Sequence, residues 1–540
     1  VGASGEFAGE RAGLFELVGH SIDGVAFGQL TARQKVLLGA GLNYQALTNA
    51  GAVIAVEVLV NSSAHMRLAS DLGELDELDA TLVIGELTIR SLVPGEAPER
   101  LTRHVALPDA SSSFPVAVSP TFKSRALLWA EKFFPMAADD FRQGRNTRSR
   151  ANSDANAHLR ERVLAREPAA EPRVSGGAPA VIVGMYWLSG GGAESWALAT
   201  VERIAAQGLV PLVITDVPSA HELADHPSLT DAVVVVLDST HHPRREDVVR
   251  SVLSSFDVRG VMIHHSNAIY ELLPLIRSID PSVWVVDALH TIEWGNGGYP
   301  MLAGMFDNLI DEHHVISEDL AGYLTDVESV SRDKIVVAPL LSIGARSASP
   351  TEKEVARSRE VSTLGFVGRL SQQKRPLLFV MLIAELAKRT PKKQIRAIVH
   401  GSGPLEGDVR ALASRLGVLD RITFRSPAIP TSETYHDIDV LVVSSQLEGL
   451  TLTTMEATHA GVPVLSADVG AQRYLVSDEL IVSRSPRLFV AEAAALLGGM
   501  ANDPHIAQRA VDEQHRKLRD LSLKEDATQW LETTVRRWAQ

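Results

Sequence analysis

Residues 438–465 read as a strand, a glycine turn, a helix and a second strand, and this unit fixes what the rest of the chain can be. Ile438 to Val443 (IDVLVV) is an apolar run of buried-strand length. Glu448 and Gly449 are expected to open a helix, with Leu450, Leu452, Met455, Ala457 and Ala460 available for packing. Gly461 and Pro463 close it, as a C-terminal glycine and a following proline do. The N-terminus of such a helix is an anion site. Glu448 and Glu456 stand eight positions apart, which in a helix is a rise of about 12 Å. That span suits an extended ligand with an anionic middle and hydroxyls at both ends, such as a sugar–diphosphate–ribose. The competing account makes each Glu a solvated surface residue.

From Ala178 onward, apolar runs alternate with helical stretches, which implies parallel sheets covered by helices on both faces. Ligands of such sheets bind at the carboxyl ends of the strands. Several candidate residues fall at such ends. Gly190, Gly191 and Gly192 follow the strand Ala180 to Met185, where a backbone without Cβ atoms can approach a phosphate or sugar. His264 to Asn267 follow a neighbouring strand, and His290 and Thr291 follow another, with Glu293, Trp294 and Asn296 just beyond. Gly368, Arg369 and Lys374 follow Thr363 to Val367; two cations there can neutralise a diphosphate, Arg as a bidentate fork and Lys as a point charge. Gly401 and Gly403 form a turn after Ala397 to His400.

These motifs together resemble the retaining nucleotide-sugar glycosyltransferases of family four, which have the GT-B fold of two Rossmann-like lobes. The resemblance rests on Glu448 to Glu456 (E-x7-E), Met455-Glu456-Ala457, the Ala460 to Val464 ending, Gly191-Gly192-Ala193-Glu194, Arg369 to Lys374 (R-x4-K) and Gly401-Ser402-Gly403-Pro404. It implies catalytic roles for His290, Arg369, Lys374 and Glu448. It implies donor binding by Gly191, Gly192, Gly368, Gly401, Gly403, Gly449, Leu450, Thr451 and Glu456. By the same resemblance His290 lines the donor sugar, Glu448 holds sugar hydroxyls, Glu456 holds the ribose, and the nucleobase lies near Ser426 to Ile429. No metal and no cofactor is implied beyond the nucleotide-diphosphate sugar itself, and the last helix is expected to cross back to the first lobe. The chain departs from the family at Ala338-Pro339-Leu340-Leu341 and at Ala467 to Tyr474. The acceptor would be a hydroxyl of a glycan, glycolipid or protein.

The resemblance begins near residue 178. Residues 1–140 are expected to form a β-rich, sandwich-like domain, with Lys35 to Leu38, Ala52 to Val60, Thr81 to Leu92, Leu101 to Leu107 and Phe114 to Val118 as strands and Ser124 to Phe134 as a helix. This domain suggests glycan binding, packing or homo-oligomer formation. Residues 141–177 read as an arginine-bearing helical or linker segment, residues 178–345 as the first lobe and residues 346–540 as the second.

A net charge of −14 argues against a nucleic-acid partner, and the absence of cysteine excludes disulfides and thiolate chemistry. The first ten residues lack the pattern of a signal peptide, so a cytoplasmic protein is expected, with the inner face of a membrane as a surface that the arginine segment could touch. Two rival readings are another GT-B enzyme, such as a nucleotide-sugar epimerase, and a non-catalytic glycan-binding or assembly protein.

Overall fold

The computed structural model describes residues 7–22, 24–61, 66–69, 82–95, 100–109, 134–141, 177–217, 219, 221–237, 243–292, 298–341, 362–391, 394–500 and 503–540. The strand at Phe114 to Val118, the helix at Ser124 to Phe134 (except Phe134 itself), nearly all of the arginine segment, and Glu293, Trp294 and Asn296 lie outside the described residues.

The first sheet contains β1 (Phe15–His20), β2 (Val53–Asn61), β3 (Arg67–Ala69), β4 (Leu82–Ser91) and β5 (Leu101–Pro108), in the order β1-β4-β2-β5-β3. It is mixed, because β2 and β5 run parallel while the other pairs are antiparallel. Among the described residues it is a single layer, covered by a helix instead of by a second sheet. That helix, Ala32–Thr48, corrects the expected strand at Lys35 to Leu38. Thr31 and Gln34 form a reciprocal capping box at its start. The helix is buried almost all round because it lies between two bodies. A Cβ on Gly41 would come within 2.8 Å of Val105 in β5. On the far side, Asn43 Nδ2 donates to the Val234 carbonyl at 2.8 Å, and Ser251 Oγ donates to the Leu47 carbonyl at 2.6 Å.

The first lobe is a parallel sheet of β6 (Ala178–Met185), β7 (Val210–Thr215), β8 (Val233–Val236), β9 (Phe256–His264), β10 (Trp284–Leu289), β11 (Glu312–Val315) and β12 (Ile335–Val337). Its order is β12-β11-β10-β9-β6-β7-β8, so strand order reverses at β6. The second lobe is a parallel sheet of β13 (Thr363–Val367), β14 (Arg396–His400), β15 (Ile422–Arg425), β16 (Val440–Val443), β17 (Val464–Ala467) and β18 (Ile481–Val482). Its order, β15-β14-β13-β16-β17-β18, reverses at β13. Strands such as β8, β16 and β17 are buried along their whole length, which is why they read as unbroken apolar runs. Reversal points of such sheets leave a crevice at the carboxyl ends of the strands.

The last helix, Ala527–Ala539, returns from the second lobe to the first. Trp530 stacks on His314 with ring centres 4.1 Å apart, and its Nε1 donates to Glu312 at 2.7 Å. Trp538 fills the space above Gly260, where a Cβ would lie 2.1 Å from the indole nitrogen. Among the described residues, no helix is long and apolar enough to cross a membrane.

Candidate active site

Both reversal points face one crevice. In the second lobe, the loop from Gly368 to Arg375 leaves β13 and the loop from Ser444 to Thr451 leaves the adjacent β16. Lys374 Nζ bonds both carboxylate oxygens of Glu448, at 2.7 and 2.8 Å. Ser445 Oγ donates to the same carboxylate, which is 6% exposed. The two loops are further tied by Ser444 Oγ, which donates to the Lys374 carbonyl at 3.0 Å, and by the Gln446 amide, which donates to the Gln373 carbonyl at 2.8 Å.

Glu448 does not lie in the helix. The helix is Leu452–His459 with Thr451 as its N-cap, so the expected start at Glu448 and Gly449 is corrected by three or four residues. Residues 448–451 are held as a loop from both sides. Gly470, in a left-handed conformation (φ +52°), packs under the Glu448 carbonyl, and the Ala471 amide donates to the Gly449 carbonyl at 3.1 Å. Thr451 Oγ1 accepts from Gln472 at 3.1 Å, and Leu450 is buried. The turn that departs from the family pattern at Ala467 to Tyr474 is therefore the floor of this loop. Gly461 is left-handed (φ +68°) and ends the helix as expected.

Glu456 is buried on the helix and accepts from Tyr435 Oη at 2.7 Å. Burial, with the carboxylate beside it, pushes the Tyr435 phenol well above its ordinary value, so it stays protonated and donating. Gly401 answers a close approach: its φ is +136°, and a Cβ would lie 2.1 Å from the Gly368 carbonyl. The turn containing Gly401 and Gly403 thereby lies flat on the Gly368–Leu370 turn, with the Leu370 amide donating to the Ser402 carbonyl at 2.8 Å.

The first lobe supplies the opposite wall. Arg369 reaches across to the Gly190 carbonyl, and its guanidinium lies 5.7 Å from the centre of the Trp187 ring. Trp187 Nε1 donates to Glu194 at 2.9 Å. Burial raises the Glu194 pKa, and this hydrogen bond and the Arg369 charge work against that rise. Gly191 precedes the helix Gly192–Ala206, and Gly192 faces Leu452 of the second lobe. Gly449 lies directly against the His290 carbonyl: a Cβ there would sit 1.8 Å from it.

His290, 5% exposed, lies beside His264 and His265, with ring centres 6.1 and 5.0 Å away. Burial holds His264 and His290 well below their ordinary pKa and lowers His265 to about 4, so the trio is neutral. Both ring nitrogens of His264 and of His290 lack a hydrogen-bond partner among the described residues.

The crevice thus brings together Lys374 with Glu448, Arg369 with the glycine turn, and Gly449 with His290. Trp187, Tyr435, Ser444, Ser445 and Gln472 join them although the sequence did not single them out for the site. Each is an isolated aromatic or polar residue whose partner is distant along the chain or hidden in a loop. No local pattern marks them.

Residues 361–498 match the family model described as "Glycosyl transferases group 1". The D-inositol 3-phosphate glycosyltransferase of Segniliparus rotundus is 30% identical over 191 residues, which are 33% of this chain and 42% of that protein. The protein of the same name from Nocardia farcinica is 33% identical over 171 residues, 29% of this chain and 38% of that one. The chain thus spans less than half the length of either of these relatives. Among solved structures, Anabaena HepE in complex with UDP and glucose aligns over 66% of this chain and 98% of its own, with 15% identity and a TM-score of 0.51. A glycosyltransferase from Rickettsia africae aligns over 66% and 97%, with 12% identity and a TM-score of 0.50. At such identities the likeness establishes fold alone. The two parallel-sheet lobes have the GT-B fold, and residues 361–498 within it match the group 1 glycosyl transferase model.

Proposed function

We propose that the chain is a retaining glycosyltransferase that moves a hexose-type sugar from a nucleotide-diphosphate donor to an acceptor hydroxyl without a metal ion. The observation that carries this reading is the Lys374–Glu448 pair at the reversal point of the second sheet, with Arg369 on the same loop reaching over to the Gly190 carbonyl and the neutral His290 on the opposite wall against Gly449. As the two loops stand, the cation and the carboxylate satisfy one another. A bound donor would exchange those contacts: its diphosphate takes Lys374 and Arg369, and its sugar hydroxyls donate to Glu448. Charge developing on the leaving diphosphate would then be stabilised by the two cations and by the amides of Gly449 to Thr451.

Glu456, oriented by Tyr435, would accept from the ribose hydroxyls. His290 and His264 support a polyhydroxylated ligand, since their buried ring nitrogens have no partner among the described residues, and such groups cost about 1–3 kcal/mol each until a hydroxyl meets them. Both imidazoles are neutral, so each can donate and accept at once. Apposition of the lobes at Gly449 and His290 would exclude water, so that transfer outcompetes hydrolysis. The leaving diphosphate would assist deprotonation of the acceptor on the same face, which leaves no dedicated base to assign. A glycan, glycolipid or protein hydroxyl is the acceptor class. The name of the matched relatives adds inositol 3-phosphate to the acceptors worth assaying.

Melting shifts against UDP-, GDP-, ADP- and dTDP-sugars without metal test the donor site. A true donor at a hundredfold excess over its Kd stabilises by about 2.7 kcal/mol. With that donor, Glu448→Gln and Lys374→Ala should each lower transfer by about a hundredfold or more while leaving the fold intact. Full transfer in either variant refutes the assignment, and an isomerised donor formed without any acceptor favours an epimerase.

A further inference from the structure

Residues 134–141 fall between β5 and β6 in the chain, and they lie against the second lobe. Residues 135–141 are helical and carry Asp139 and Asp140. The Asp139 carboxylate stands 2.8 Å from Arg375 Nη2, and both side chains are almost wholly buried. Arg375 Nη1 donates to the Arg484 carbonyl at 2.8 Å. By contrast, Asp140 makes a long, exposed pair with Arg487 at 3.7 Å.

Arg375 is unusual for its backbone as well as for its buried charge. Its φ is +51° and ψ +52°, the left-handed region that glycine occupies freely and an arginine does not. It stands between Lys374 and the first residue of the helix Pro376–Arg389, so this bend sets the direction in which Lys374 leaves the loop. The bend is held on its backbone by Ser444 Oγ, which also donates to the Arg375 carbonyl at 3.1 Å, and by the Leu378 amide at 3.0 Å. Its side chain is held by the Asp139 carboxylate and the Arg484 carbonyl. A residue with a strained backbone persists where its surroundings over-determine it, and such residues gather at functional sites.

We propose that Asp139 is a positioning residue for nucleotide-diphosphate binding: by pairing with Arg375 it locks the left-handed turn that sets Lys374 against Glu448. A segment outside the two lobes thereby completes the phosphate-binding loop of the second lobe. The inference rests on the reading of the crevice as a nucleotide-diphosphate site.

Calorimetric titration of the full chain with UDP, GDP, ADP and dTDP tests it. Asp139→Asn keeps the shape of the side chain while the pairing charge is lost, and its melting temperature, read beside the titration, shows that the chain titrated is folded. The Kd of the best-bound nucleotide should rise about tenfold or more, since small misplacements of binding groups are costly. Asp140→Asn should leave that Kd where it is, as an exposed pair contributes little. Arg375→Gly supplies the same left-handed turn without an arginine to be paired, so adding Asp139→Asn to it should change the Kd no further. A merely structural Asp139 would lower the melting temperature of the single variant without moving its Kd, and that result overturns the inference. Weakening by Asp139→Asn that is equal with and without the Arg375→Gly substitution overturns it as well. Both failures differ from failure of the site reading itself, in which the unaltered chain binds none of the four nucleotides and both proposals fall.

Discussion

Gly449 has no room for a side chain, because the His290 carbonyl occupies the place of its Cβ at 1.8 Å and Ile316 stands 2.9 Å away. A backbone oxygen cannot rotate aside as a flexible side chain can. Gly449→Ala should therefore push the two walls of the crevice apart and lower kcat/KM by about a hundredfold. Steady-state kinetics with the donor that raises the melting temperature measure this, and unchanged kinetics would show that the lobes need not meet there. At this scale the sequence revealed residues that sit beside motifs. Lys374 and Glu448 were each visible at the end of an apolar run, and the structure joins them at hydrogen-bond distance. Tyr435 was invisible because its meaning lies in Glu456, on a different element. Arg375 was visible as the neighbour of Lys374 but its role was not, since a left-handed arginine before a proline has no signature in composition or periodicity.

Elements were legible where their burial is one-sided or complete in a familiar way. The parallel strands read as continuous apolar runs because helices cover both faces of their sheets. The helix Ala32–Thr48 did not announce itself, since a helix buried between two bodies loses the apolar stripe that marks its period. The helix after Glu448 was placed early because its first residues are drawn into a loop by Gly470 and Ala471, which tertiary packing alone decides.

The returning helix Ala527–Ala539 has a titratable seat. Burial lowers His314 from an ordinary 6.5 to about 4, against the pull of Asp526 and of its bond to the Ala338 carbonyl. Between these values the unfolded chain takes up a proton that the folded chain refuses. The stability present above pH 6.5 is therefore lost as pH falls toward 4. Its share of the loss down to pH 5 is about 2 kcal/mol. His314→Phe keeps an aromatic stack on Trp530 and removes that share, so urea unfolding at pH 7 and pH 5 should differ less in the variant. An identical difference in both proteins would exclude His314 as the sensitive group. His265, also lowered to about 4, remains to titrate in either case.

Across the whole molecule, the three sheets are joined by elements that leave one body and finish on another. The helix Ala32–Thr48 binds the N-terminal sheet to β8, residues 135–141 reach the second lobe, and the last helix returns to the first. Trp538 is 2% exposed and fits over Gly260 in β9. Trp538→Ala should cost about 3–5 kcal/mol, read as a lower midpoint in urea unfolding. A smaller loss would mean that the neighbouring anchor, Arg537 over the Trp284 ring at 4.1 Å, holds the helix by itself. The general two-lobed plan was legible because each lobe repeats strand and helix in order, and the resemblance gave the return of the last helix, whereas the links made by Ala32–Thr48 and by residues 135–141 depend on single residues meeting across about two hundred positions. The returning helix also carries a lesson for recombination. Because the chain enters the second lobe at β13 and comes home through Ala527–Ala539, that lobe is an insert within the first, with two crossings. A chimera that replaces everything after β12 would leave Gly260 facing a foreign tail, while one spliced at both crossings would exchange the second lobe and keep its host's own clasp.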